Sequence, residues 1–142
     1  MNRLFLATLV FHVVVAVLGL GSITSVALIA ATARRNQRTA EALSWLGLLL
    51  RVSVVSLAAL LLSGGFLDFV MHGAFQRSWW FRASALLLLA TGALHGLARR
   101  AVRLGLRHRS EVEAALRRVE IVAYGMGALI VAIIVLMVIK PF

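Results

Sequence analysis

Apolar residues run along this chain in four long blocks, residues 4–31, 42–66, 79–97 and 121–139, separated by short polar or basic stretches. The blocks are continuous rather than alternating, and each reaches the ~20 helical residues that cross a hydrocarbon core of ~30 Å. The pattern predicts four transmembrane helices whose connections are too short to hold another domain. The expected fold is therefore all-α, a single up-down four-helix membrane bundle over residues 1–142. The first block has 28 residues, against roughly 7–15 in the apolar part of a signal peptide, and is read as a retained helix although "AATARR" offers small residues for cleavage.

Composition supports that reading. With 62% hydrophobic residues, 14% charged and one proline, the chain cannot cover a soluble domain with polar surface. The net charge of +10 is concentrated in "ARRNQR" and "ARRAVRLGLRHRSEVEAALRR". Ten positive residues, Arg34, Arg35, Arg38, Arg99, Arg100, Arg103, Arg107, Arg109, Arg117 and Arg118, fall in the connections 32–41 and 98–120, while Arg3, Arg77, Arg82 and Lys140 lie towards the other side. The positive-inside rule makes those connections cytoplasmic and both termini external, as for a bacterial inner-membrane protein, with the bilayer and its anionic lipids as partners. Basic clusters between spans, with no aromatic interleaving, argue against nucleic acid. No cysteine is present, which excludes disulfides, thiolate metal sites and iron–sulfur clusters. Ser110 and Glu113 have capping-box spacing for a fourth helix that begins before its span, and Gly105 predicts a stop for the third. Trp45, Trp79 and Trp80 lie at span ends, where an aromatic belt is expected.

The polar residues within the spans are the functional leads. His12 shares a helical stripe with Ala16 and Gly19, and His95 with Ser84, Thr91 and Gly92. Either imidazole can bind a cofactor or hold two helices together. His95 lies ~6 Å from the cytoplasmic end of its span and His12 in the outer half, so the two do not suit the axial positions of one haem. Arg51 follows Glu41 by ten residues, ~15 Å, which places it near mid-membrane on a stripe with Ser44, Gly47, Ala58 and Gly65 that should pack inside the bundle. Glu120, with Tyr124 one turn deeper, is its expected partner in a structural polar cluster. A bound anion such as a haem propionate, lipid headgroup or acidic substrate is the alternative. In the external "DFVMHGAFQRS", His72, Met71 and Asp68 could contribute to a copper site. His108 is read as solvated.

"LVFHVVVAVLGLGSITSVAL" resembles the first helix of the copper-resistance D and protoporphyrinogen-oxidase-like membrane families and of related small proteins of unknown function. In that group a histidine near the start of the first span precedes a glycine by about seven residues, here His12 and Gly19. The basic residue of the second span followed by "LLLSGG", and the "SWWFRASALLLL" entry to the third, are also similar. The resemblance implies a four-helix membrane module whose first-span histidine, His12, binds haem b or lies on a metal path. Oxidase-like members carry a lysine in a later span, whereas this chain's only lysine is Lys140, so enzymatic activity is not expected. The leading reading is a module that binds haem b or another anionic ligand at His12, Arg51 and His95, with His12, His72 and Met71 as metal candidates, and supports metal or redox handling. A ligand-free accessory subunit and a small transporter or proton path are the competing readings. Homo-oligomers or a larger membrane complex fit any of them.

Overall fold

In the computed structural model, which describes residues 3–36 and 39–139, helix accounts for nearly all of the chain. The helices are α1 (Arg3–Arg35), α2 (Thr39–Val70), α3 (Trp79–Arg107) and α4 (Val112–Ile139), with a 3₁₀ turn (Arg109–Glu111) before α4 and no strand among the described residues. All four are long and apolar enough to cross a membrane. Arg38 and Lys140 lie outside the described residues. α1 packs against α2 and α4, and α3 against the same two helices, with α2 and α3 the neighbours that touch least.

Close contacts set how the helices run past one another. His12 on α1 bonds Ser63 on α2, and Gly19 comes against Ser56. Seven residues forward on α1 are thus seven backward on α2, and Thr24 lies level with Arg51. Gly47 on α2 comes against Val102 on α3, which puts Arg51, four residues on, level with Ala98. Gly105 and Leu94 on α3 come against Ala115 and Gly125 on α4, so Ala98 lies beside Ile121.

One plane therefore crosses all four helices at Thr24, Arg51, Ala98 and Ile121. From it to the far ends run residues 3–24, 52–70, 79–98 and 121–139, between 19 and 22 residues in each helix. At ~1.5 Å per residue these lengths are about 28–33 Å, the thickness of one hydrocarbon core. Beyond the plane the helices continue into a basic end, where Arg34, Arg35, Arg99, Arg100, Arg103, Arg107, Arg117 and Arg118 are all exposed.

The buried apolar core belongs almost wholly to this basic end, where Val26, Ala30, Leu46, Leu50, Val102, Leu116 and Val119 form one cluster. The pattern of "ARRAVRLGLR" shows why. Ala98, Ala101, Val102 and Gly105 recur at helical spacing and turn inward, while the arginines between them turn out. Residues 98–120, expected as a cytoplasmic connection, are consequently helical except around 108–111. α3 also passes Gly105 and ends at His108, whose extended backbone N–H donates to the Leu104 carbonyl. Gly105 serves packing instead, since a Cβ there would sit 2.8 Å from Ala115 Cβ and 3.0 Å from Leu43 Cδ1. Ser110 and Glu113 form no capping box: neither side chain makes a hydrogen bond among the described residues, and the 3₁₀ turn leads directly into α4.

At the opposite end, α2 and α3 are joined by a tight connection. Asp68 is buried and its Oδ1 accepts the Phe75 N–H at 2.9 Å, while His72 (φ 55°) and Gly73 (φ 75°) take the left-handed conformation that turns the chain. Phe75 packs against Trp80 and Phe81, with centroids 5.8 and 6.2 Å away.

Candidate functional site

On the apolar side of the plane the four helices line a cavity of about 360 Å³ that is partly open to the outside through Val17, Leu61 and Ile134. Its walls come from every helix, among them Gly19, Leu60, Leu88, Ile130 and Met137. Among the described residues, His12 is the only ionisable side chain in the wall and Ser84 the only hydroxyl. An apolar cavity with a few placed polar groups is the usual form of a small-molecule site.

The hydrogen bonds around His12 decide what it offers. Its Nδ1 lies 2.7 Å from Ser63 Oγ, and that oxygen is also 2.7 Å from the Ala59 carbonyl oxygen. A carbonyl only accepts, so the single hydroxyl proton of Ser63 goes to Ala59. Ser63 Oγ must then accept from Nδ1–H. This assigns the Nδ1–H tautomer and leaves Nε2 with a bare lone pair, which can ligate a metal or accept a hydrogen bond. Gly64 makes room for the ring: a Cβ there would already lie 3.5 Å from His12 Cε1. Ser84 adds a second polar group. It is 2% exposed, and its Oγ has no hydrogen-bond partner among the described residues.

Around the cavity floor and from it towards the plane lie buried polar side chains: Ser56 and Thr91 beside the wall, and Ser22, Ser53 and His95 beyond it. Thr91 and Ser22 donate to carbonyls of their own helices. His95 Nδ1 is 3.3 Å from the Thr91 carbonyl oxygen and must donate to it, which leaves Nε2 as an acceptor. That nitrogen and Ser53 Oγ are both buried and without partners among the described residues. Ser53, two residues beyond Arg51, is level with His95, so an unsatisfied donor and an unsatisfied acceptor share one level of the core. His12 and His95 are separated along the bundle by about nine residues, ~14 Å, and cannot ligate one iron within a chain.

Several expectations for charged residues are corrected. Arg51 is exposed, as are Ser44, Ala58 and Gly65 of its stripe, and Leu43, Leu46, Leu50, Ser53 and Leu57 form the buried face of α2 instead. Arg51 also stands 19 residues, ~28 Å, from the far end of α2, about one hydrocarbon thickness. Glu120 is paired with Arg34 of α1, not with Arg51, and Tyr124 is 58% exposed. The cluster of Arg51, Glu120 and Tyr124 does not form. In the connecting turn, Asp68 points inward to Phe75 N–H whereas Met71 and His72 are exposed, so the three do not assemble a ligand set. Among the described residues no group of three His, Cys, Asp or Glu could hold a metal ion. A double-mutant cycle between Arg34→Gln and Glu120→Gln is expected to show coupling of about 0.5–1 kcal/mol. The same cycle with Arg51→Gln in place of Arg34→Gln should show none, as measured by reversible unfolding in detergent.

No protein-family model, curated protein or solved structure matches the chain. The site must be judged on its own chemistry. Of the expected ligands only His12 reaches the cavity. His95 is walled into the layer beneath it, and Arg51 is about twelve residues, ~18 Å, along α2 from Ser63. Sequence reading missed Ser63, Met137 and Arg34. Ser63 stands in "LLLSGG", and a serine within an apolar span is the signal that it meets a polar group on a neighbouring helix. Met137 gave no signal among the apolar residues of α4.

Proposed function

We propose that this protein is a small multi-pass protein of the bacterial inner membrane that holds one apolar ligand in the cavity, with His12 as the ligand's polar contact. The basic end faces the cytoplasm and both termini face outside, as the positive-inside rule requires. The observation that carries the reading is the bare Nε2 of His12 in a wall whose other described side chains are apolar apart from Ser84, its tautomer held by Ser63. A histidine whose other nitrogen is fixed by a hydrogen bond is how proteins orient a metal-ligating imidazole.

Haem b is the first ligand to test, and the residues fit it in part. His12 would offer its Nε2 and Met137 its thioether to haem iron, and the remaining walls are largely apolar. Among the described residues no cation lines the cavity, so propionates would have to reach the rim, where Arg82 follows Phe81 of the wall. Bound haem would supply one-electron chemistry, in keeping with a role in metal or redox handling. An anion held at Arg51 within the bundle is not part of this reading, because Arg51 faces outward.

The test is titration of haem, and separately of a neutral polyene fluorophore, into the purified protein in nanodiscs. The expected result is one haem per chain with a shifted Soret band, and displacement of the fluorophore by haem. Fluorophore binding without a Soret shift would remove haem and keep the apolar site. Failure of both to bind would overturn the proposal.

A further inference from the structure

We propose that Arg51, Arg99 and Arg103 form a binding site for the phosphate of an anionic phospholipid on the exposed side of the α2–α3 contact. Gly47 faces α3 through Val102, and Arg51 is one turn further along the same face of α2. Arg99 lies one turn before Val102 on α3, next to Ala98, and so at the level of Arg51. Arg103 is drawn back towards Arg99, with its Nε donating to the Arg99 carbonyl oxygen at 3.4 Å. All three arginines are exposed.

Three like charges thus stand within about one turn of the same level, and among the described residues no carboxylate of α2 or α3 stands beside them. The nearest acid at that level, Glu120, is on α4 and is taken by Arg34. Glu41 is ten residues from Arg51 towards the basic end, ~15 Å away. Guanidinium groups in this arrangement suit the paired oxygens of a phosphodiester.

Two features favour a lipid over a dissolved anion. The site stands on the plane from which each helix has one hydrocarbon thickness left to run, the depth of phospholipid phosphates. Directly below it the outward faces of the same two helices are apolar, with Val52, Val55 and Leu62 on α2 and Leu89 on α3 between 44% and 73% exposed. A phosphate at Arg51 would leave its acyl chains lying along that track. An arginine that looked misplaced within an apolar span is, on this reading, the headgroup contact of α2.

Native mass spectrometry from detergent, with phosphatidylglycerol and phosphatidylcholine offered together, tests the site. The wild-type protein should retain phosphatidylglycerol in preference. Arg51→Gln and Arg99→Gln should each weaken retention about five-fold, which is what ~1 kcal/mol per basic residue at an anionic surface amounts to. Arg107→Gln, which removes the same charge more than two turns beyond the plane, should leave retention within about two-fold of wild type. Helicity and unfolding midpoint in zwitterionic detergent show that each variant is folded, and either Arg51→Gln or Arg99→Gln alone suffices. Equal loss in Arg107→Gln would mean a diffuse basic surface and would overturn the site, as would equal retention of the two lipids. Displacement of the lipid by millimolar glycerol phosphate would make a soluble anion the ligand and overturn the lipid assignment.

Discussion

Replacing Gly105 by alanine is expected to destabilise the protein by about 1–2 kcal/mol, although the same change at Gly96 is expected to stabilise it by about 0.5–1 kcal/mol. Both glycines lie within α3 and both gain helix propensity from a methyl group. At Gly96 nothing lies within 4 Å of the new Cβ. At Gly105 the Cβ would stand 2.8 Å from Ala115 Cβ, an atom fixed to the α4 backbone, and 3.0 Å from Leu43 Cδ1. The leucine tip can rotate aside, but Ala115 cannot, so α3 and α4 must move apart and loosen the core around Val102 and Leu116. Gly105→Leu enlarges the same conflict and should prevent the basic end from packing. Thermal unfolding followed by circular dichroism in one detergent compares the three variants. A Gly105→Ala protein as stable as Gly96→Ala would show that α2, α3 and α4 do not converge there.

His12→Leu is expected to abolish the Soret shift of bound haem, or to weaken a hydrogen-bonded ligand about ten-fold, while leaving the protein folded. Leucine fills similar space and removes the only ionisable group of the cavity wall among the described residues. It leaves Ser63 satisfied, because that hydroxyl still donates to Ala59. Ser63→Ala removes the group that fixes Nδ1–H, and metal ligands deprived of such support typically lose about 10–100-fold in affinity. Ala85→Leu places extra methyl groups in the cavity itself and should lose ligand without losing stability. Arg51→Gln should leave ligand binding in the cavity unchanged, since Arg51 is exposed and ~18 Å along the helix from Ser63. Binding isotherms for the four variants separate the contribution of the imidazole from that of the surrounding space.

The four helices were legible in the sequence because an unbroken apolar run of about twenty residues is what crossing a bilayer requires and what a soluble fold seldom contains. The basic end was legible because its arginines are confined to two connections. Depth was not. α2 is 32 residues long, about 48 Å at ~1.5 Å per residue, and a bilayer core takes up only part of it. Measuring Arg51 from Glu41 placed it in mid-membrane, whereas contacts with α1 and α3 put it level with Thr24 and Ala98, from which each helix has 19–22 residues left to run. Facing was not legible either. In a soluble helix, small and polar residues on one stripe contrast with an apolar core, but within lipid both faces are apolar and the contrast disappears. The stripe through Ser44, Gly47 and Arg51 therefore looked like an interior face, while nothing in the sequence marked the buried stripe through Leu43, Leu46, Leu50 and Leu57. Glu120 could be seen to need a cation, but several arginines lay within its reach. Only the approach of α1 to α4 selects Arg34.

The division of the molecule at the level of Arg51 underlies both the cavity and the lipid site, and it can be measured directly. The chain contains no cysteine, so single nitroxide labels can be placed on the outward face of α2 through Leu48→Cys, Arg51→Cys, Val55→Cys, Leu62→Cys and Phe69→Cys. In bilayers, the relative accessibility of each label to oxygen and to a water-soluble nickel chelate reports its depth. Labels at 48 and 51 are expected at the aqueous boundary, with the change to oxygen-rich surroundings by 55 and the deepest position near 62. A label at 51 as deep as the one at 62 would contradict the division and return Arg51 to the middle of the membrane.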